Sequence, residues 1–283
     1  MPTSTSNGMG VGVAIVDTGI DLANADLAPS SLRFNIYGTS CQDDNGHGTH
    51  VSGIVAALDN AIDVVGVAPA ATLYCVKVLD STGSGFDSDI IAGLEFVLAN
   101  AATAKPPIRV VNMSLGRDGS VNDNPTLRTT VKNLYNAGIT VVVAAGNNAS
   151  KEVKDMVPAS FPEVLAVAAT TAADGTKSCR RYSGVIKADT ASYLTTDGAY
   201  QVLDSTVGRQ GVTISEPGED QENISKGCFI SSVGILSSRL ILGPENIRFT
   251  LRTTAQGLLN APLDSPTSSY SFDGEREGIA KAP

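Results

Sequence analysis

Apolar residues over the first 170 positions fall into two registers: short unbroken runs, and stripes recurring every three or four residues. Val11 to Val16 is such a run and ends at Asp17-Thr18-Gly19, which predicts a parallel strand buried on both faces and emptying into a turn. Leu73 to Leu79, Ile108 to Met113, Ile139 to Ala145 and Val164 to Ala168 predict four more strands. Between them, Val51, Ile54, Val55 and Leu58 mark one face of a helix beginning near His47. Ile90, Leu94, Val97 and Leu98 mark a second helix, with Asp87 or Ser88 as its N-cap. A third has Pro125 as an early residue, Leu127, Val131, Leu134 and Tyr135 on its apolar face, and Gly138 just past its end.

Strands alternating with helices imply an α/β domain, a mostly parallel sheet covered by helices on both faces. Functional groups then belong where strands pass into the following loops. Beyond Cys179 the pattern loosens. Ser178 to Asp220 is polar and turn-rich, with Glu216-Pro217-Gly218 as its landmark, and Pro244 opens a helix through Ala255 that carries Ile247 and Leu251. One domain over residues 1–260 and a flexible Pro-, Ser- and Gly-rich tail over 261–283 are expected.

Composition narrows the function. With 283 residues, 42% of them hydrophobic and 17% charged, the chain is long enough for a well-buried core. A net charge of -9 argues against nucleic acid, whose binding rests on neutralising phosphates. No apolar stretch is long enough to cross a bilayer, Met1 to Gly10 has no signal-peptide character, and a monomer is expected. No GxGxxG or Walker-type loop follows the first strand, so nucleotide binding has little support. Cys41, Cys75, Cys179 and Cys228 show no CxxC spacing, which leaves zinc unsupported. They allow up to two disulfides if the protein is secreted, while Cys75, inside an apolar strand, is equally read as a plain buried thiol.

The chemistry centres on Asp17 and His47. Asp17 ends a buried strand, where a carboxylate needs a partner, and His47 lies among small residues at a helix start, 30 positions later. A carboxylate that orients an imidazole is the minimum for activating a hydroxyl nucleophile. The contexts are long: VGVAIVDTGIDLANAD over 11–26, DNGHGTHVSGIVAA over 44–57, Val64 to Leu79, Asn112-Met113-Ser114-Leu115-Gly116, and VVVAAGN over 141–147. Together they resemble the subtilisin-like serine peptidases, from about Gly10 to Ala169 and more weakly around Pro217 and from Arg239 to Ala255.

That resemblance implies a three-layer subtilisin-like fold and peptide-bond hydrolysis. Asp17 would orient His47, His47 would act as general base and then acid, and the Asn147 amide would donate to the oxyanion. Gly83, Ser84, Gly85 and Phe86 on one side, and Ser114, Leu115 and Gly116 on the other, would be backbone edges pairing with an extended peptide or protein substrate. His50 is expected to pack beneath His47. A structural calcium ion is implied at Asp26 with the loop of Leu58, Asn60, Ile62 and Val64, an ordinary surface loop being the alternative. Kinship also implies an extracellular protein.

One element is missing. The family's nucleophile stands in a Gly-Thr-Ser-Met-Ala type motif opening a central helix, and no such motif occurs here. After Glu216-Pro217-Gly218 the chain runs SKGCFISSVGILSS over 225–238 and then Arg239-Leu240-Ile241-Leu242, as though the serine-bearing segment between about Leu236 and Arg239 were lost. Cys228 is a poor substitute, because nothing places an imidazole beside it. Hydrolysis would then collapse, leaving a peptide-binding relative or an incomplete product. Loss of the central helix is also expected to leave one face of the sheet exposed.

Overall fold

The computed structural model describes residues 7–62, 64–148, 151–171, 190–191, 214–217 and 244. In chain order its elements are β1 (Gly12–Asp17), β2 (Phe34–Asn35), α1 (His47–Ala56), β3 (Thr72–Lys77), α2 (Asp87–Asn100), β4 (Ile108–Met113) and β5 (Arg117–Asp118). They continue with α3 (Pro125–Asn136), β6 (Thr140–Ala144), β7 (Met156–Val157), β8 (Val164–Thr171), β9 (Thr190–Ala191) and β10 (Ile214–Pro217). An eight-stranded sheet runs β10-β8-β6-β4-β1-β3-β2, with β9 added antiparallel to β8. Every other neighbour pair in it is parallel. A separate antiparallel pair joins β5 to β7.

The two faces of the sheet carry separate cores. On one, α2 and α3 bury Ile90, Leu94, Val97, Leu127, Val131 and Leu134 against Ala14, Val16, Val76, Val111, Val141 and Val143. On the other, α1 sets Val51 and Val55 against Val13, Ile15, Leu73 and Cys75. This is the three-layer α/β arrangement the alternation implied. It follows from parallel strands whose side chains point to both faces and whose crossover helices must cover them.

Four expectations change. Asp87 is the first helical residue of α2, not its cap; Phe86 holds the cap position, and its N–H donates to the Asp89 carboxylate at 3.2 Å. A strand, β10, occupies 214–217, where the polar, turn-rich reading expected none, and it pairs with β8 from Val167 to Thr170. Cys75 is no plain thiol: it forms a disulfide with Cys41. The face of the sheet expected to lie bare is buried at Val110, Val142, Leu165 and Val167. The stretch 225–238, which lacks the Gly-Thr-Ser-Met-Ala type motif, Cys179, Cys228, the tail and all of the helix from Pro244 beyond its first residue lie outside the described residues.

Candidate active site

Four strand ends, those of β1, β3, β4 and β6, bring the site together. Asp17 closes β1, the strand between β3 and β4, and is fully buried. Its Oδ1 lies 2.8 Å from His47 Nδ1 and accepts the Thr18 N–H at 2.7 Å. Its Oδ2 has no hydrogen-bond partner. His47 is the first residue of α1, and Gly46, at the N-cap with φ 106, turns the chain into the helix through a left-handed conformation that suits glycine. Burial alone would lower the His47 pKa, but the charge and hydrogen bond of Asp17, with the charge of Asp43, prevail and raise it above 6.5. The ring is therefore held on the sheet side by its Nδ1. His50 is buried.

A buried lysine secures the same turn. Lys77, on β3 opposite Asp17, is 3% exposed and donates to the Thr18 carbonyl, to the Leu79 carbonyl at 2.9 Å and to Asp44 at 2.7 Å. It joins the turn after β1 to the loop after β3. Full burial of an ammonium is tolerated here because its donors are met.

That loop and the one after β4 face each other across a cleft of about 550 Å³. His47 and Asn147 line it, together with Gly83, Ser84, Gly85 and Ser114, Leu115, Gly116, so two predicted edges and two predicted catalytic groups share one space. Phe86, the fourth residue of the first predicted edge, is not among the lining residues and is 77% exposed. Ile90 and Leu127 give the cleft an apolar end. A smaller hollow of about 260 Å³ adjoins it, lined by Ser114 to Asp118, Gly146, Asn147 and Met156. Arg117 ties the two edges together: Nε and one terminal nitrogen reach Asp87 at 3.0 and 2.6 Å, and the other terminal nitrogen reaches Asp123 at 2.5 Å. Sequence reading missed Lys77 and this ion cluster. A charged residue inside an apolar strand was the visible signal for Lys77; nothing local marked Asp87 and Arg117 as partners.

The expected calcium ligands are partly gathered. Asn60 Nδ2 donates to Asp26 Oδ1 at 2.9 Å, the Leu58 N–H donates to the Asp26 carbonyl at 3.0 Å, and the Ile62 N–H reaches Asn60 Oδ1 at 2.6 Å. Asp26 is 1% exposed, and its Oδ2 is buried without a partner. Val64, two residues beyond Ile62, is half-buried. Among the described residues no cluster of three or more His, Cys, Asp or Glu exists that could hold a metal, so backbone and amide oxygens must supply most of any ligand set. No helix among the described residues is long and apolar enough to cross a membrane.

Comparison with known proteins places the chain in a family. The profile of the Subtilase family matches residues 8–262. Subtilisin DY of Bacillus licheniformis is 41% identical over 181 residues, which cover 63% of this chain and 62% of that protein. Subtilisin Savinase of Lederbergia lenta is 43% identical over 164 residues, 58% of this chain and 56% of that one. The similarity therefore spans less than two thirds of the length of either relative. Among solved structures, Sphericase shares the fold with a TM-score of 0.73 at 24% identity, covering 99% of this chain and 94% of its own. With the motifs in order and the family profile running through nine tenths of the sequence, the chain belongs to the subtilase family of subtilisin-like serine peptidases.

Proposed function

We propose that this chain is a serine endopeptidase by kinship that binds extended peptides in the cleft between residues 83–86 and 114–116, and that its hydrolytic step is lost for want of a nucleophile. The observation that carries the binding and acid–base part is the 2.8 Å contact of Asp17 with His47 at the wall of a cleft that Asn147 also lines. Asp17 fixes the ring and stabilises its protonated form; with a hydroxyl nucleophile present, His47 would take and return its proton and the Asn147 amide would face the developing negative charge. Loss of the step is supported by the sequence, which contains no Gly-Thr-Ser-Met-Ala type motif. The rival reading is a fully active endopeptidase whose serine stands in an unfamiliar context.

A fluorophosphonate, which labels an activated serine, separates the two. The proposal expects no labelling together with measurable binding of a fluorescent extended peptide. Strong labelling that His47→Ala abolishes would establish the active enzyme instead.

Calcium is proposed as a structural ion at Asp26, with the Asn60 amide and backbone oxygens of Leu58, Ile62 and Val64 completing a hard-oxygen set. The buried, unpartnered Asp26 Oδ2 supports this, since a cation answers a buried lone carboxylate oxygen. Export is proposed too, and the Cys41–Cys75 disulfide fits an oxidising compartment.

A further inference from the structure

The turn that carries His47 is held by a carboxylate with no part in the proton transfer. Asp43 stands four residues before His47. Its Oδ1 accepts from the Thr18 hydroxyl at 2.9 Å, the Asn45 N–H at 3.0 Å and the Gly46 N–H at 2.9 Å. Its Oδ2 accepts from the Thr49 N–H at 2.9 Å and the Thr49 hydroxyl at 2.6 Å.

These bonds reach two separate pieces of chain. Thr18 follows Asp17 on the turn after β1, whereas Gly46 and Thr49 lie on either side of His47 at the start of α1. The Gly46 N-cap has no side chain to satisfy the open N–H groups of the first helical turn, and Asp43 does this from outside the helix. Thr18 extends the connection, since its hydroxyl also accepts the Gly48 N–H at 2.9 Å. A 2.8 Å contact between a sheet residue and a helix residue needs the two elements fixed to within a few tenths of an ångström.

We propose that Asp43 is a positioning residue for the Asp17–His47 pair, one carboxylate that locks the turn after β1 to the first turn of α1 and so sets the distance between the two side chains. This rests on the reading of Asp17 and His47 as the acid–base pair and adds the device that holds them. Burial would raise the Asp43 pKa, but hydrogen bonds from Gly46, Thr49 and Asn45 outweigh it and keep the carboxylate ionised. Asp43 is thereby also the second negative charge facing His47, after Asp17. The cation nearest this turn among the described residues, Lys77, is taken up by the Thr18 and Leu79 carbonyls and by Asp44.

The chain has two histidines, so a titration of nitrogen-labelled imidazoles followed by NMR reads His47 directly, with His47→Gln assigning the signal. Asp43→Asn should lower the His47 midpoint by about half a pH unit. Thr18→Val, which cuts the link but keeps the Asp43 charge, should lower it as well, and Thr18→Ser should restore it. A folded Asp43→Asn protein with an unmoved midpoint overturns the proposal. So does a shift in Asp43→Asn with none in Thr18→Val, which would leave charge alone at work. Should Asp43→Asn fail to fold, the Thr18 pair decides. Asp17→Asn serves as the control: if it leaves the midpoint where it was, the acid–base reading itself falls, whatever Asp43 does.

Discussion

Gly48 stands so close to Gly19 that a β-carbon built on it would come within 2.1 Å of the Gly19 carbonyl oxygen and 3.1 Å of Asp17 Oδ1. The first turn of α1 therefore rests directly on the turn that presents the carboxylate, and only a hydrogen fits between them. In an exposed helix, replacing Gly by Ala stabilises by about 1 kcal/mol. Here the overlap is with backbone, which cannot swing aside, so Gly48→Ala should destabilise by about 2 kcal/mol or more and push His47 away from Asp17. Chemical denaturation gives the sign; a gain in stability would mean that the two turns are not packed as described.

The raised His47 pKa has a consequence for stability. A group whose folded value lies above its unfolded value contributes in full below the unfolded one, near 6.5, and loses that contribution as pH rises through the folded value. The stability gap between the wild type and His47→Gln should accordingly narrow as pH climbs from 6 toward the raised value. Urea unfolding of both proteins across that range checks it, and a gap that widens with pH contradicts the ion pair.

Arg117 and Asp87 tie the two peptide-facing edges. Both are partly exposed, so screening limits their worth to about 1 kcal/mol or less. Arg117→Ala should weaken binding of an extended peptide by about threefold and leave global stability nearly unchanged. Asp87→Ala added to it should cost little more, because the pair acts as a unit. Anisotropy titrations of a labelled peptide read both effects.

The Cys41–Cys75 disulfide closes a loop of 34 residues that includes His47. Loop-closure entropy for that length is worth about 3–4 kcal/mol. The double variant Cys41→Ala with Cys75→Ala should lose an amount of that order in urea unfolding. A loss below about 1 kcal/mol would place the bond's role elsewhere.

If calcium binds at Asp26, the midpoint of thermal unfolding should rise with calcium concentration and fall in chelator. Asp26→Asn should remove that difference while leaving an otherwise folded protein. Equal midpoints with calcium and with chelator in the wild type would dismiss the ion.

Much of this was legible from the amino-acid order. Strands such as Gly12–Asp17 and Thr140–Ala144 are nearly pure apolar runs, and α3 carries its start in Pro125 and its stop in Gly138. The motifs imply the Asp17–His47 pairing, and the sheet explains it: the end of a central strand and the start of the helix packed on it meet there. Partnerships between polar residues far apart in sequence were not legible. Asp43 and Thr18 are 25 positions apart, Asp87 and Arg117 are 30 apart, and neither local pattern distinguishes such residues from solvated ones. Cys75 was ambiguous for the same reason, since a buried thiol and a buried half-cystine present the same apolar neighbourhood to a reader of sequence. Strand β10 was hidden because Ile214–Pro217 is too short and too polar to announce itself.

The order of the sheet has one last implication. Strand β1, among the earliest parts of the chain, lies between β3 and β4, and later strands are added outward on both sides. Asp17 thus ends a strand flanked on both sides and is itself paired with Lys77 of β3. The imidazole rides on a helix end reached through glycine. Evolutionary or engineered retuning of the pair is therefore cheapest from the histidine's side, by substitutions in the dozen residues that lead into α1, with the carboxylate as the fixed reference.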